Sequence, residues 1–475
     1  MRKNLECTFD LGLLRRPIFA VALFVTGSLS AATPSQIWGP YFNHDEASSY
    51  TDPYRGIHRS GSDLESLIIS EIERATTSLD IAVQELRLPQ VARAIVRKHQ
   101  AGVRVRLVFE NDYNFSIADL DLGRVGPGGD HATKRIQEYV RFVDMNVDGH
   151  LSDYEISQRD AMGILKGARV PMIDDTADGS KGSPLMHHKF VVVDGSRLLV
   201  TSANFTMSDV HGDFSSPVSR GNANALLIFN DPTIVAQYHK EFDFLWGSSP
   251  GSGPRFGVHK PYRGAVRSEI AKGGTLTVQF SPTSKRLGFD ASTSGLIDRS
   301  LQRAQKSVDM ALFVFSEQRF SDTLQMLTKK FPLQVRVLVE PTFAFQWFSE
   351  TLDMLGLSLR SPTCVRDPNN SPWSRPVRSV GTPQLEDGDF LHHKFAVIDG
   401  KTTVFGSQNW SNAANDSNDE NLLVIEDEMV SQKFAIEFSR LYRDARLGAP
   451  QRLIREIKRR ESMCPSADQD QSGQP

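Results

Sequence analysis

This chain of 475 residues has few cysteines, little excess charge of either sign and no long apolar run. Three widely spaced cysteines are too few for a zinc framework or a dense disulfide scaffold. A formal net charge of −3 creates no global basic field for nucleic acid, although a local basic groove stays compatible with it. The apolar run at 17–25 is too short to span a bilayer, and the sequence therefore indicates a globular protein.

The first 32 residues have the pattern of a secretory signal. Basic residues precede the apolar run, and small residues that suit a cleavage site follow it: Arg2, Lys3, Arg15, Arg16, Ser30, Ala31 and Ala32. We expect residues 1–32 to be removed and the protein to be exported, either secreted or periplasmic; the alternative is a membrane anchor that stays in place. Cys364 and Cys464 could then form one disulfide or stay as two thiols.

Strands and helices alternate along the rest of the chain, which is typical of an α/β fold. The segments SLDIAV and VRVRLVFE in the first half match SVDMALFVF and LQVRVLVE in the second. A stretch rich in Gly, Ser and Pro at 247–257 marks the predicted boundary. We predict a first lobe over 33–250, a second lobe over 251–461 and a polar, disordered tail over 462–475.

One polar segment occurs twice, about 200 residues apart, which is the length of one domain. The first copy, HHKFVVVDGSRLLVTSANFT, begins at His187, and the second, HHKFAVIDGKTTVFGSQNWS, begins at His392. Each reads H-x-K-x4-D, then six residues, a small residue, Ser, any residue and Asn. Because side chains alternate along a strand, His187 and Lys189 face one side and His188 the other, and His392 pairs with Lys394 in the same way.

This combination of residue types suits the cleavage of a phosphodiester. Imidazole can attack a phosphorus atom or transfer a proton near neutral pH. Two histidines on opposite sides of a phosphodiester can divide these tasks, while Lys and Asn donors stabilise the charge on the phosphoryl oxygens. Two matched sets at identical spacing therefore favour one active site assembled from two halves over unrelated surface or core residues.

The two copies resemble the paired HKD motifs of the phospholipase D superfamily, and the flanking elements follow that family's order. The resemblance implies two similar α/β lobes, each a mixed sheet flanked by helices, related by pseudo-twofold symmetry with the active site between them. It implies a two-step displacement that needs no metal, in which His187 forms a phosphohistidine and His392 acts as general acid and base. The other implied site residues are Lys189, Lys394, Asn204 and Asn409 as phosphate clamps, Ser202 and Ser407 as supports, Glu420 as the partner that orients the catalytic imidazole, and Asp194 and Asp399, which we expect to be structural.

The two halves are not equal in sequence. Thr201 stands where the second half has Gly406, and NAN, with Ala223, stands where the second half has NDEN, with Glu420. We therefore expect His187 to lack a carboxylate partner. Either the two histidines are tuned for different roles, which we favour because both halves keep the phosphate-contacting residue types, or one half is impaired.

A second motif, DMNVDGHLSDYE at 144–155, resembles an EF-hand calcium loop with a predicted helix on each side. The resemblance implies a set of ligands for Ca²⁺: Asp144, Asn146, Asp148, the carbonyl of His150, Ser152 through a water, and Glu155. We expect an insertion near 131–166 in which Ca²⁺ orders the first lobe without joining the chemistry. The alternative is a solvated acidic turn between two helices.

The leading prediction is an exported phosphodiesterase of phospholipase D type that hydrolyses a phospholipid headgroup at a membrane surface to leave phosphatidate. We expect a monomer without an obligate protein partner. The aromatic residues Phe343, Phe345, Trp347 and Phe348 predict either an exposed patch for lipid or a buried helix face. The motifs equally fit an endonuclease or a cardiolipin hydrolase of the superfamily, so nucleic acid is the alternative substrate. A non-catalytic calcium-binding relative is the third hypothesis.

Overall fold

A computed structural model describes residues 35–120, 131–248 and 253–464. The predicted signal, four residues of the predicted boundary and the last eleven residues of the predicted tail lie outside the described residues. Two mixed β-sheets flanked by helices make up the fold, which confirms the predicted α/β class with two similar halves. We call the described residues up to 248 the first lobe and those from 253 the second lobe.

The first lobe is built on a seven-stranded sheet and a separate pair of short strands. In chain order its strands are β1 (Ile37–Phe42), β2 (Ser49–Thr51), β3 (His58–Ser60), β4 (Ser78–Val83), β5 (Arg104–Phe109), β6 (Met172–Asp174), β7 (Lys189–Val193), β8 (Arg197–Thr201) and β9 (Ala225–Phe229). The sheet order is β1-β9-β8-β7-β4-β5-β6, while β2 pairs with β3. Strands β4, β5 and β6 are parallel, and the other neighbours are antiparallel.

The second lobe repeats this topology. Its strands are β10 (Val266–Glu269), β11 (Thr275–Ser281), β12 (Ser307–Leu312), β13 (Gln334–Val339), β14 (Val380–Thr382), β15 (Lys394–Ile398), β16 (Thr402–Gly406), β17 (Glu420–Glu426) and β18 (Arg446–Leu447). The sheet order is β10-β11-β17-β16-β15-β12-β13-β14-β18. The seven inner strands match the first sheet one for one, so β7 corresponds to β15 and β9 to β17.

Helices cover both sheets. Those of the first lobe are α1 (Leu64–Glu73), α2 (Pro89–Gln100), α3 (His131–Val143), α4 (Asp153–Arg159), α5 (Ala161–Gly167), α6 (Met207–Val210) and α7 (Pro232–Trp246). Those of the second lobe are α8 (Thr293–Leu301), α9 (Gln318–Lys330), α10 (Pro341–Ala344), α11 (Glu350–Met354), α12 (Asn412–Asp416), α13 (Glu428–Arg443) and α14 (Gln451–Met463). Within the described ranges, no helix has the length and apolar character needed to cross a bilayer.

The two lobes share a core around α7 and α13, which lie between the sheets. Helix α7 packs on β4, β7 and β8 of its own lobe and on β10 and β11 of the other, while α13 packs on β12, β15, β16, β17 and on β1. Edge-to-face rings join the layers, with Phe190 5.1 Å from Tyr238 and Phe395 4.9 Å from Phe434. Because helices cover both sheet faces, the inner strands are almost entirely buried and mostly apolar.

Local signals in the sequence explain where these helices begin and end. The side chain of Asp231 caps the first turn of α7, Pro232 occupies its first position, and Gly247 ends it with φ 80°. At the C-terminus, Cys364 and Cys464 form a disulfide that fastens the end of α14 to a loop of the second lobe. Helix α14 continues to Met463, past residue 462 where the predicted tail begins.

Candidate active site

The two repeated segments meet at the junction of the lobes. His187 lies two residues before the start of β7, and His392 lies two residues before the start of β15. The backbone N–H of His187 donates to the carbonyl of Asp419 at 3.0 Å, and that of His392 donates to the carbonyl of Ala223 at 3.1 Å. Each histidine is therefore fixed by a backbone hydrogen bond from the opposite lobe, and the structure brings both copies into one cluster.

The same two lysines influence the pKa of both imidazoles. Burial lowers the pKa of His187 well below 6.5, and the ammonium groups of Lys189 and Lys394 lower it further. Burial and the same two lysines also lower the pKa of His392. Because each lysine acts on the ring of the other lobe, the four side chains form one site. Both rings are neutral near pH 7, and each keeps one ring nitrogen with a lone pair.

Glu420 accepts a hydrogen bond from Nδ1 of His187 at 2.6 Å, across the lobe junction. This bond fixes the proton on Nδ1 and leaves Nε2 with its lone pair. Burial raises the pKa of Glu420 to about 7. The expectation that His187 lacks a carboxylate is wrong, because the partner of each histidine comes from the other half of the chain.

Asn224, rather than Ala223, is the counterpart of Glu420. The pairings of β8 with β9 and of β16 with β17 place these two residues at equivalent positions. The Oδ1 atom of Asn224 accepts from Nδ1 of His392 at 3.0 Å. The amide thus holds the second imidazole in the same tautomer, with a neutral partner in place of a carboxylate. Sequence reasoning missed it by one residue, because the loops that precede β9 and β17 differ in length.

Lys189 and Lys394 are buried side by side with the histidines. Lys189 Nζ donates to the carbonyl of His187 at 2.8 Å, and Lys394 Nζ donates to that of His392 at 2.7 Å. Burial lowers the pKa of Lys189 to about 8. Burial, and then repulsion by Lys189, lowers the pKa of Lys394 well below 10.5. Two ammonium groups in this position suit an anion, which would offset their mutual repulsion.

Asn204 and Asn409 occupy equivalent positions in the two repeated segments; Asn204 is buried and Asn409 is half-buried. Each has a side-chain oxygen that finds no hydrogen-bond partner within the described part of the chain. A buried amide with an unused polar atom is costly unless a ligand or water engages it. Since the two ends of an amide can exchange by rotation, either side chain can present its NH₂ group to a phosphoryl oxygen.

The predicted supports, Ser202 and Ser407, bind the start of the neighbouring strand. Ser202 Oγ donates to Oδ1 of Asn224 at 2.7 Å, and Ser407 Oγ accepts from the N–H of Asn421 at 3.0 Å. Ser202 therefore contacts the residue that holds His392. The two serines thus hold the start of the neighbouring strand in place, and Ser202 also holds Asn224.

Asp194 and Asp399 lie at the opposite ends of β7 and β15 from the cluster. Their backbones are left-handed, with φ of 51° and 52°. The carboxylate of Asp194 accepts backbone N–H groups from residues 76–78, and that of Asp399 accepts those of residues 305–307. Both carboxylates therefore fasten a tight turn to the start of the adjacent strand.

The histidines next in sequence face away from the cluster, as the alternation of a strand predicts. His188 Nε2 lies 3.0 Å from a carboxylate oxygen of Glu241 on α7, and His393 Nε2 lies 3.1 Å from Glu437 on α13. These pairs attach each site strand to a central helix. They stiffen the base of the cluster from the side opposite the catalytic candidates.

The surroundings of the two lysines differ between lobes. Lys189 Nζ donates to Oε1 of Gln84 at 3.0 Å, whereas Lys394 lies 5.0 Å from the ring centroid of Phe313. The Phe313 ring is 4.9 Å from that of His392 and 5.0 Å from that of Phe343. The second lobe therefore lines the site with aromatic rings and the first lobe with polar groups.

The aromatic segment at 343–348 is neither an open patch nor a fully buried helix face. All four of its aromatic residues are half-buried. Phe343 packs on the second-lobe core, and Trp347 packs on a small cluster of Leu352, Leu359 and Leu453. Only part of each ring is therefore available to a ligand.

The EF-hand-like segment forms a loop between α3 and α4. Gly149 has φ 79°, and its N–H donates to Oδ2 of Asp144 at 3.0 Å. Oδ1 of Asp144, a residue with 8% exposure, finds no partner among the described residues. His150 N–H donates to Asp148 at 2.8 Å. Glu155 binds the N–H groups of Met145, Asn146 and Ser152 and the Ser152 hydroxyl at 2.7–3.2 Å.

The hydrogen bonds from Ser152 lower the pKa of Glu155 to about 2, so this side chain is ionised. Its carboxylate accepts hydrogen bonds from both ends of the loop and so holds the two ends together. Across the described residues, no three Asp, Glu, His or Cys side chains are grouped tightly enough to form a metal centre. The six predicted ligands lie in one loop, and the buried Oδ1 of Asp144 finds no protein partner among the described residues.

Two matched sheets that bring His, Lys and Asn sets into one cluster define a two-lobed α/β protein with a composite site. The chain belongs to the phospholipase D-like family: the model described as "Cardiolipin synthase, PLD-like domain" matches residues 68–246 and 297–442. A mitochondrial cardiolipin hydrolase from Chlamydomonas reinhardtii is 40% identical over 181 residues, which cover 38% of this chain and 56% of that protein. The Xenopus tropicalis mitochondrial cardiolipin hydrolase is 28% identical over 173 residues, covering 36% and 56%.

The chain thus spans about half the length of these relatives. Among solved structures, the phosphatidylserine synthase of Haemophilus influenzae Rd KW20 aligns over 90% of this chain and 93% of its own, with a TM-score of 0.50 at 11% identity. That likeness concerns the fold of both lobes together.

Proposed function

We propose that the protein is a phosphodiesterase that cleaves phospholipids through His187 and His392. The observation that carries this proposal is the cluster itself, in which two imidazoles, each held at Nδ1 from the opposite lobe, lie with two buried lysine side chains. Such a set offers a nucleophile, a proton carrier and an anion site in one place.

In the first step, Nε2 of His187 attacks phosphorus and the bond from phosphorus to the leaving oxygen breaks. Nε2 of His392, protonated when the substrate anion is bound, gives its proton to that oxygen. Glu420 stabilises the positive charge that the phosphorylated imidazole of His187 carries. In the second step, His392 takes a proton from water, the water oxygen attacks phosphorus, and the nitrogen–phosphorus bond breaks. Lys189 and Lys394 offset the charge on the phosphoryl oxygens in both steps.

A phospholipid is the substrate class that the surroundings of the site favour. The second lobe places Phe313 beside His392 and Phe343 against Phe313, which suits an apolar group next to the scissile phosphate. The chain carries no excess positive charge that would attract a polynucleotide. The curated relatives described above are named as cardiolipin hydrolases, and cardiolipin is therefore the first lipid to test, before phosphatidylcholine.

The test is one substrate panel: cardiolipin vesicles, phosphatidylcholine vesicles, single- and double-stranded DNA, and soluble bis(p-nitrophenyl) phosphate. The variants are His187→Ala and His392→Ala, with the exposed His58→Ala as the matched control. We expect lipid turnover by the parent protein and His58→Ala, and a loss of about 10³-fold or more in the other two. Absence of any phosphodiester cleavage, or near-parental rates in either site variant, overturns the proposal. Cleavage of DNA alone moves the substrate class to nucleic acid.

We also propose that Ca²⁺ binds the loop at 144–155. The donors fit a hard cation, because they are carboxylate, amide, hydroxyl and carbonyl oxygens, and the buried Oδ1 of Asp144 is left open for it. Bound Ca²⁺ would join the ends of α3 and α4 and order this part of the first lobe. Titration calorimetry with CaCl₂ and with MgCl₂ tests the site. We expect Ca²⁺ binding that Asp144→Asn abolishes and that the exposed control Asp387→Asn retains; absence of heat and of a Tm shift at 10 mM Ca²⁺ would refute it.

We further propose that the mature protein works outside the cytoplasm. The basic and apolar pattern of residues 1–32 supports this location, as does a disulfide between Cys364 and Cys464. Mass spectrometry of the protein recovered from the periplasm or medium of a bacterial host should give an N-terminus near residue 33. Recovery of the uncut chain from the membrane fraction would instead indicate an anchor.

A further inference from the structure

The two catalytic candidates have unequal neighbours. His187 donates directly to the carboxylate of Glu420, whereas His392 donates to the neutral amide of Asn224. A histidine that must hold a proton beside two lysines needs a nearby negative charge, which an amide does not supply. Burial opposes the protonation of His392 most strongly, followed by the charges of Lys394, Lys189, His187 and the neighbouring His393.

Asp209, on the short helix α6, supplies that charge from behind the amide. Its side chain is buried, and its Oδ1 lies 3.5 Å from Nδ1 of His392. The same oxygen accepts from Nδ2 of Asn224 at 3.2 Å and from Nδ2 of Asn222 at 2.8 Å. The other oxygen accepts the N–H of Asn204 at 3.0 Å, which links Asp209 to a predicted phosphate clamp.

Asp209 also determines which end of the Asn224 amide faces the imidazole. Nδ2 of Asn224 is surrounded by acceptors: the Asp209 carboxylate, the Asp209 carbonyl at 3.0 Å and the Asn222 carbonyl at 3.1 Å. Oδ1 is therefore left to face His392 and the hydroxyl of Ser202. An amide in that orientation can only accept from Nδ1, so the lone pair of His392 is kept on Nε2.

The second lobe shows the reverse arrangement. Ala414 on α12 occupies the position of Asp209, since both lie at the same distance from the repeated His, and Glu420 occupies the position of Asn224. Each lobe thus supplies one carboxylate for the histidine of the other. The carboxylate of the second lobe, Glu420, is at the start of β17. The carboxylate of the first lobe, Asp209, is on α6, the helix that follows the repeated segment.

We propose that Asp209 is a positioning residue of the phosphodiesterase site, which orients Asn224 and stabilises the protonated form of His392. This inference rests on the proposed function. Asp209 would then serve His392, the general acid, as Glu420 serves His187, the nucleophile. Without Asp209, the leaving oxygen receives its proton less effectively, whereas the attack of His187 on phosphorus is preserved.

The test compares Asp209→Asn, Asp209→Ala and the double variant Asn224→Glu/Asp209→Ala, which transfers the second-lobe arrangement to the first. Phosphohistidine formation is followed in single turnovers with a lipid, whose alkoxide leaving group needs a proton, and with bis(p-nitrophenyl) phosphate, whose leaving group does not. We expect Asp209→Asn and Asp209→Ala to lose about 10²-fold with lipid and less than about 5-fold with the nitrophenyl diester, with KM little changed. The double variant should recover at least about tenfold over Asp209→Ala.

A second readout needs no turnover. In protein labelled with ¹⁵N-histidine, the nitrogen shifts of His392 should report Nδ1–H in the parent protein and a mixture of tautomers in Asp209→Ala. Equal losses with both substrates, no recovery in the double variant and unchanged His392 shifts would overturn the positioning role. If the parent protein cleaves none of the substrates, the proposed function fails, and the nitrogen shifts alone then decide whether Asp209 positions His392. Asp209→Asn, nearly the same shape, covers the case in which the alanine variant fails to fold.

Discussion

Replacing Glu420 by glutamine should make the protein more stable and less active at the same time. Burial raises the pKa of this carboxyl from 4.5 to about 7, so keeping it ionised in the folded state is costly. A difference of that size corresponds to about 3 kcal/mol. Glutamine has nearly the same shape and can still accept from Nδ1 of His187, but it carries no charge that burial penalises.

The pH dependence follows from the direction of the shift. Below pH 4.5 the carboxyl is protonated in both the folded and the unfolded protein, and the two chains should be similarly stable. Between 4.5 and about 7 the unfolded parent protein releases a proton that the folded one retains, so its stability falls as pH rises. Above about pH 7 the full difference is present. Glu420→Gln should therefore gain up to about 3 kcal/mol at pH 8 and much less at pH 5.

Urea unfolding from pH 5 to pH 8 at constant ionic strength measures this difference. Glu428→Gln, an exposed change of the same type at the start of α13, is the matched control and should show no such trend. Turnover by Glu420→Gln at pH 8 should fall by about 10²- to 10⁴-fold, because the amide cannot stabilise the charged imidazole. A stability difference that is independent of pH, or a variant less stable than the parent at pH 8, would refute this account of Glu420.

Three further predictions concern other parts of the fold. Asp399→Ala should lower the free energy of unfolding by about 2–3 kcal/mol, because three backbone N–H groups lose their acceptor, while turnover falls far less than in His392→Ala; urea unfolding and kinetics check this. Cys364→Ser should lower stability by up to about 4–5 kcal/mol and remove the effect of a reductant on Tm, since the disulfide closes a loop with a separation of 100 residues. Phe343→Ala should raise KM about tenfold for lipid vesicles and much less for bis(p-nitrophenyl) phosphate; equal changes would contradict an apolar subsite.

Much of the fold could be predicted from sequence because its signals are local. Alternating apolar segments gave the inner strands, and the two copies of the polar segment indicated two matched halves. The same alternation separated His187 from His188, because successive side chains on a strand face opposite sides. The left-handed turns at Asp194 and Asp399 and their N–H contacts fit the structural role expected for both residues.

What could not be predicted depends on pairing across the lobes. Glu420 is in the second half of the sequence yet serves His187 in the first, and no spacing rule within one half indicates this. Asn224 was missed because the loop before β9 is longer than the loop before β17, so the spacing from the repeated segment in one half does not locate the counterpart in the other. Asp209 resembles an ordinary acidic residue in the first turn of a short helix, and only the folded chain shows it beside His392.

The central position of α7 and α13 has a consequence for how a substrate reaches the phosphorus-binding cluster. A helix from each lobe packs between the two sheets. The lobes therefore cannot move apart without exposing that apolar core to water. We therefore expect the distance between the two imidazoles to change little when a substrate binds. The phospholipid proposed as substrate would then have to enter past the loops around the rim, and variation in those loops could change which phosphodiester is cleaved while the reaction stays the same.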